Sequence, residues 1–309
     1  MTFLRQGWVR ASMPDHDRAG KTGGRRTEAR VAVKDGDGWV LCERGHRHWG
    51  LYGAAGLLAV HRDDDGVARV LMQERSVWSH HGGTWGLPGG ARDSHEGPVH
   101  AALREAHEEA ALSGDGLRVR DVYRDDHGGW TYDTVIAEAA RLLPAVPGNA
   151  ESKRLRWLTI PEIAEKKLHP GFAETWPEIQ DLLRPGLVIL DIANIVGARA
   201  EHGWWKDRKG AAARLLAEAA GARLPHPVLI EWSPDVVAVV EGAARGVPPV
   251  EGIAVVEADG NGDDAIVDLV RQAKPWERAL VVTADKELKE RVTRLGALVR
   301  GPKWLLDRL

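Results

Sequence analysis

The chain reads as two α/β domains in tandem, the first on a mixed sheet with helices on both faces, the second on a parallel sheet. Three observations carry this. From about residue 50, short β-like runs flank one charged stretch with helical period around residues 98–112. Arg184-Pro185-Gly186 then punctuates the chain. Beyond it, short, wholly apolar runs alternate with helical stretches, the pattern of strands buried on both faces. At 309 residues, each half is long enough to bury its own core.

Residues 1–30 are polar, rich in Arg and Gly, and are expected to be a disordered extension. No apolar segment follows Arg25-Arg26, so neither a secretory nor a twin-arginine signal is expected, and Met13 is an alternative start. The first domain is expected over 31–183. YGAAGLLAV and VARVLMQER, split by the charged turn Arg62 to Gly66, form a hairpin or meander. TWGLPGG supplies a strand and turn leading into a helix whose start is marked by Pro98, with Gly114 as its expected stop. LRVRDVYRD and WTYDTVIAEA are strands separated by His127-Gly128-Gly129, and RLRWLTI is another. Pro161 opens a helical stretch that resumes from Gly171 to Leu183.

The second domain is expected over 187–309. LVILD is a short strand ending in an aspartate, and WWKDRKGAAARLLAEAAGA a helix stopped by Gly221. VVAVVEG and GIAVVEA are buried strands, followed by a helix from Asp263 to Gln272. RALVVTAD, KELKERVTRL and ALVRG add a strand, a helix and a last short strand, completing a Rossmann-like alternation.

The most informative stretch is GARDSHEGPVHAALREAHEEAAL, Gly90 to Leu112. On a helix, Glu105, Glu108 and Glu109 stand at i, i+3 and i+4 and share one face. Three carboxylates on one stripe repel each other unless a cation sits among them, and hard divalent ions want oxygen ligands. With Gly90, Glu96, Arg104 and Leu112 at their spacings, the stretch resembles the Nudix box. Two positions depart from that pattern: Ala106 stands where a bulky aliphatic is usual, and Ala111 replaces a glycine. The resemblance covers about residues 50–183. It implies a Nudix α/β/α sandwich that hydrolyses nucleoside diphosphates linked to a further group, with Mg²⁺ (or Mn²⁺) held by Glu105, Glu108 and Glu109 together with Gly90. It further implies that Arg104 orients a carboxylate and that Glu96 supports the metal shell or the loop. The general base is a box glutamate or a carboxylate outside the box.

A second set of acidic residues falls where strands end, the place where functional groups gather in open α/β sheets. Asp191 and Asn194 close the first strand, Asp263 and Asp264 open a helix, and Asp285 ends the strand ALVVTAD. Such residues hold one or two divalent ions for in-line phosphodiester hydrolysis. DIANIVG, GDDAIVDLV and VVTADKEL together resemble the PIN-like nucleases, closest to the NYN branch, over about residues 187–305. That resemblance implies a metal-dependent ribonuclease. Aspartates at strand ends are also common in folds with no such activity, so a non-catalytic nucleotide- or RNA-binding module stands beside it. From Leu187 onward there are 17 Lys and Arg against 18 Asp and Glu, a net charge of −1. That balance suits single-stranded RNA better than a grip on duplexes.

Composition bounds the rest. A net charge of −3 gives no sign of a nucleic-acid coat or an anionic-membrane partner. No apolar run is long enough to span a bilayer, and a single cysteine excludes an internal disulfide framework and suits a reducing cytoplasm. That residue begins Cys42-x3-His46-x-His48, a hint of a metal knuckle without a second cysteine or clear partner pair. His80-His81 is read as structural, and most of the 13 tryptophans as packing residues. Lys206 and Arg208 beside Trp204-Trp205 either contact phosphate or belong to an ordinary helix start. The whole is expected to be a cytoplasmic nucleotide hydrolase with a second nuclease domain. The alternatives are an RNA 5′-end processing enzyme, or a hydrolase whose second domain only binds.

Overall fold

The structure is a computed structural model that describes residues 34–199 and 203–309. The extension expected over 1–30 lies outside the described residues. The chain divides into two compact units. One runs through Leu183 and takes in Pro227–Glu231; the other comprises Arg184–His226 and Trp232–Leu309. The halves expected at 31–183 and 187–309 are therefore interleaved at one short segment.

In the first unit, β1 (Trp39–Leu41) and β2 (Arg47–Trp49) form an antiparallel ribbon. The main sheet contains β3 (Ala54–Arg62), β4 (Ala68–Arg75), β5 (Trp85–Gly86) and β6 (Gly89–Ala91). After α1 (Pro98–Ala110) come β7 (Leu117–Asp126), β8 (Thr131–Ala139) and β9 (Ser152–Thr159), then α2 (Ile160–Ala164) and α3 (Pro170–Leu182). The sheet is mixed: β3 pairs β8 in parallel, whereas β3–β4, β7–β8, β4–β9 and β3–β6 are antiparallel. TWGLPGG gives two very short strands instead of one, with β5 on β4 and β6 on β3. That split sets Gly89-Gly90 beneath α1.

Helix α1 buries a face made mostly of alanine. Ala101, Ala102, Ala106 and Ala110 pack with Leu57, Leu71 and Val135. Small side chains let the helix lie close to the sheet, which accommodates Ala106 where a bulkier residue was the expected pattern. The helix starts at Pro98, with Gly97 as N-cap. It ends on Ala111, not near Gly114. Ala111 adopts left-handed backbone angles, φ 51° and ψ 28°, and its N–H donates to the Ala106 and His107 carbonyls. The next residue, Leu112, is buried in the same core, so the chain must turn there and Ala111 takes a conformation that favours glycine.

The second unit contains β10 (Gly186–Asp191), α4 (Ile192–Arg199) and α5 (Arg208–Ala220). Strand β11 (Leu229–Trp232) lies beside β7 at the edge of the first sheet. Then follow β12 (Asp235–Val240), β13 (Ile253–Glu257), α6 (Gly262–Gln272), β14 (Arg278–Val282), α7 (Lys286–Arg294), β15 (Leu298–Arg300) and α8 (Lys303–Leu306). The five strands run in the order β13-β12-β10-β14-β15, and all their pairings are parallel. One apolar cluster joins α4, α5 and α8 to the sheet, and another joins α6 and α7 to it. Chain order reverses between β10 and β14, which opens a crevice at their carboxyl ends. Among the described residues, no helix is long and apolar enough to cross a membrane.

Candidate active site

The box residues assemble around Arg104. Its Nε donates to Glu96 Oε1 at 2.7 Å, and its Nη2 to Glu96 Oε2 and the Ala91 carbonyl, both at 2.9 Å. Its Nη1 reaches Glu105 Oε1 at 2.6 Å. Two carboxylates on one planar fork hold the guanidinium firmly in its charged form. Glu96 is buried and also accepts the Asp93 N–H at 3.1 Å, so it fixes the loop before α1.

The three helix carboxylates share a face but do not close on one point. Glu109 is almost fully buried, and its Oε2 accepts the Gly89 N–H at 2.9 Å. Burial first, and then repulsion from Glu105, push its carboxyl up to about 7. Burial also raises Glu105, with Glu108 adding to the effect against the pull of Arg104. Glu108 is more open and pairs with Lys34 Nζ at 2.9 Å. A Cβ on Gly90 would fall 2.7 Å from the Glu105 carboxyl carbon, so glycine is what leaves room for that group. Carboxylate oxygens crowded on one helix face, with Glu105 and Glu109 raised by burial and by neighbouring carboxylates, suit a hard divalent cation; Mg²⁺ and Mn²⁺ fit this set.

Gly89 is shared with a cavity of about 800 Å³, part of it open to solvent. Leu87, Trp130, Tyr132 and Phe172 give it apolar and aromatic walls, while Arg75, His48, Asp125, His127 and His169 supply polar groups. Burial first, then the neighbouring His81 and Arg75, hold His169 down to about 4, so it is a neutral imidazole at pH 7. His80 and His81 stack edge-on with each other, and His81 with His169, at centroid distances of 4.0 and 4.8 Å. The cavity residues were not legible in the sequence, because they come from six separate strands, the loops between them and α3.

Among the described residues, three groups bring potential ligand atoms within 4.8 Å of one another. They are Cys42/His46/His48/His127, His80/His81/His169 and Asp93/His95/Glu96.

The second unit gathers part of its expected set. Asp191, at the end of β10, is buried; its carboxylate accepts the Thr283 hydroxyl at 2.7 Å and the Asn194 N–H at 3.0 Å. Burial raises its affinity for a proton, and Glu241 and Asp285 add to this. Asp263 is raised likewise, by burial and then by Asp191 and Asp285. Glu241, directly after β12, thus joins the cluster; the strand-end acid in VVAVVEG was the signal for it. Asn194 sits in the first turn of α4 and accepts the Ala284 N–H at 2.8 Å, so it ties the two strand ends together. Two placements differ from expectation. Strand β14 stops at Val282, and Asp285 is instead the N-cap of α7, accepting the Leu288 N–H at 2.7 Å. Asp264, the next residue on α6 after Asp263, pairs with Arg291 instead. Trp204 packs on the core under the Arg208 guanidinium, and Asp207 caps α5, which is the ordinary helix-start arrangement.

Residues 50–179 match the family model described as NUDIX domain. Over 152 residues the chain is 53% identical to "Putative 8-oxo-dGTP diphosphatase 3" of Mycobacterium tuberculosis, an alignment covering 47% of this chain and 70% of that protein. It is 41% identical over 146 residues to the "Nucleoside triphosphate pyrophosphatase/Nudix hydrolase fusion protein" of Bifidobacterium longum, covering 46% of this chain and 30% of that one. Among solved structures, RenU, a Nudix hydrolase from M. smegmatis, is 50% identical. That match covers 48% of this chain and 95% of that chain, with a TM-score of 0.46.

Proposed function

The chain belongs to the Nudix family and is a hydrolase of phosphoanhydride bonds, and we propose that its substrate is a nucleoside triphosphate or another nucleoside diphosphate derivative. Water adds to one phosphorus of the P–O–P linkage, and the other phosphoryl group leaves on the bridging oxygen. The single observation that carries this reading is the carboxylate face of α1 meeting an aromatic cavity at Gly89. The 53% identity to a protein named as an 8-oxo-dGTP diphosphatase makes 8-oxo-dGTP the first candidate.

Glu105, Glu108 and Glu109 would hold Mg²⁺ (or Mn²⁺), with Gly90 leaving room beside Glu105. Such an ion neutralises the diphosphate and lowers the pKa of an attacking water. The chain's own residues do the rest. Arg104 is a positioning residue: it holds Glu105 and Glu96 in place. The Gly89 N–H fixes the Glu109 carboxylate. Trp130, Tyr132 and Phe172 offer flat apolar surface to a base. Arg75, at the same cavity, is the cation placed to meet a phosphate. A panel of nucleoside triphosphates and diphosphate-linked nucleotides, incubated with the full chain and Mg²⁺ or Mn²⁺, tests this. Absence of metal-dependent turnover across the panel would sink it.

For the second unit, the proposal is a PIN/NYN-like metal-dependent ribonuclease acting on single-stranded RNA. Asp191, Asp263 and Asp285 with Glu241 would be its acidic cluster, Asn194 a positioning residue and Asp264 peripheral. The mutual repulsion at Asp191 and Asp263 supports a cation there. Cleavage of labelled RNA by wild type, compared with Asp191→Asn, in Mn²⁺ and in chelator, is the test. Equal cleavage by both proteins would remove this activity. Cleavage by neither, with RNA still bound, would favour the binding-module alternative.

A further inference from the structure

We propose that Cys42, His46, His48 and His127 form a four-coordinate Zn²⁺ site, separate from the box carboxylates, that staples the β1–β2 ribbon to the β7–β8 turn. The sequence shows only Cys42-x3-His46-x-His48; folding adds the fourth donor. One ligand atom from each of the four lies within 4.8 Å of the others. A tetrahedral zinc with its usual sulfur and nitrogen bond lengths holds its ligand atoms about 3.3–3.7 Å apart, so small side-chain shifts of about 1 Å complete the shell.

The backbone is already bent for it. The Cys42 N–H donates to the His46 carbonyl at 2.9 Å, and the Gly45 N–H to the Cys42 carbonyl at 3.0 Å. Gly45, at φ 80°, makes that tight turn possible. The Glu43 N–H donates to the Gly128 carbonyl at 2.9 Å, bringing the ribbon against the turn that carries His127.

Two independent observations on the rings point to a ligand. His127 is only 8% exposed, and its Nε2 lies 2.8 Å from Asp125 Oδ2. A carboxylate there accepts a proton-bearing nitrogen, so Nδ1 carries the free lone pair, and that atom is buried without a hydrogen-bond partner. Carboxylate–histidine–metal is the usual orientation of a zinc imidazole. His48 is stacked on Trp130, with centroids 4.0 Å apart and planes at 11°, and its Nε2 is likewise buried and unpartnered. Leaving a buried nitrogen bare is unfavourable, and both belong to the same four-residue cluster.

The donor chemistry selects the ion. One sulfur and three imidazoles suit Zn²⁺ and repel Mg²⁺, whose preference is oxygen. Four protein ligands leave no open position, so the site is structural. Binding releases the Cys42 thiol proton to solvent as the thiolate joins the ion. Because His48 and His127 also line the cavity, the zinc would set the position of its wall.

The full chain, incubated with Zn²⁺ and desalted, should carry one tightly held zinc by elemental analysis. Cobalt in its place should give the visible bands of a tetrahedral site and a thiolate-to-cobalt charge-transfer band. Cys42→Ser should abolish the charge-transfer band. His46→Ala, at an exposed position where folding is not at stake, should release the metal on desalting. Asp125→Asn should weaken affinity about 10- to 100-fold through the His127 hydrogen bond. Glu109→Gln should retain the zinc, which keeps this outcome separate from the hydrolase proposal. Less than a tenth of an equivalent of zinc on the wild type, or a cobalt spectrum unchanged in both Cys42→Ser and His46→Ala, would overturn the site.

Discussion

Replacing Glu109 by Gln should stabilise the metal-free protein, and the gain should appear only as pH rises. Glu109 is 3% exposed, and its carboxyl is held up to about 7 from an ordinary 4.5, first by burial and then by Glu105. An acid whose folded pKa is raised costs nothing below its unfolded value. The cost grows between about 4.5 and 7, and is complete above the folded value. That interval corresponds to about 3 kcal/mol at full ionisation. Glutamine has nearly the same volume, cannot ionise, and keeps an oxygen to accept the Gly89 N–H. For a unit of this size, about 3 kcal/mol is about 6–12 °C in Tm. Differential scanning calorimetry in chelator, following the transition of the first unit, should show this gain near pH 8 and almost none near pH 4.5. A gain independent of pH, or a loss near pH 8, would refute the account of Glu109 as a buried anion waiting for a cation.

Three further outcomes are expected. Ala111→Gly should raise stability by about 1 kcal/mol without changing turnover, since φ 51° is left-handed backbone where a Cβ is strained; a lower denaturation midpoint would contradict the turn. Arg104→Lys keeps the charge but loses the fork to Glu96, Glu105 and Ala91, and should cost about 1–3 kcal/mol in urea titration together with at least tenfold in turnover. In the second unit, Asp285→Asn should leave Tm nearly unchanged, because Asn also caps helices, yet remove RNA cleavage. Asp264→Asn, at a residue already paired with Arg291, should lower cleavage far less; equal loss in the two would place both at the ion.

What was legible in the sequence follows from distance along the chain. Glu105, Glu108 and Glu109 lie within one turn of a helix, so spacing alone put them on one face. The alternation after Gly186 gave the parallel sheet for the same local reason. Cavities and clusters are long-range objects. Trp130, Phe172 and Arg75 face one space only after β4, β8 and α3 have packed, and His127 reaches Cys42 only through the pairing of two turns. The β1–β2 ribbon escaped because its strands are short and mostly exposed, with no apolar alternation to read. Strand β11 escaped because it adds to a sheet formed much earlier in the chain. Gly114 was the wrong stop for α1 because the buried Leu112 dictates the turn, not the nearest glycine. Glu241 ends its strand as Asp191 does, and was readable by the same rule.

The central claim is that the carboxylates on α1 act through a divalent ion on a nucleotide phosphoanhydride. The most direct test is turnover of 8-oxo-dGTP, and of the best substrate from a nucleotide panel, by the wild type, Glu108→Gln and Glu109→Gln over a Mg²⁺ titration. The account predicts Mg²⁺-dependent hydrolysis by the wild type and its loss in both variants, with folding intact by circular dichroism. Either variant retaining more than about a tenth of wild-type turnover, a barrier change below about 1.4 kcal/mol, would contradict it.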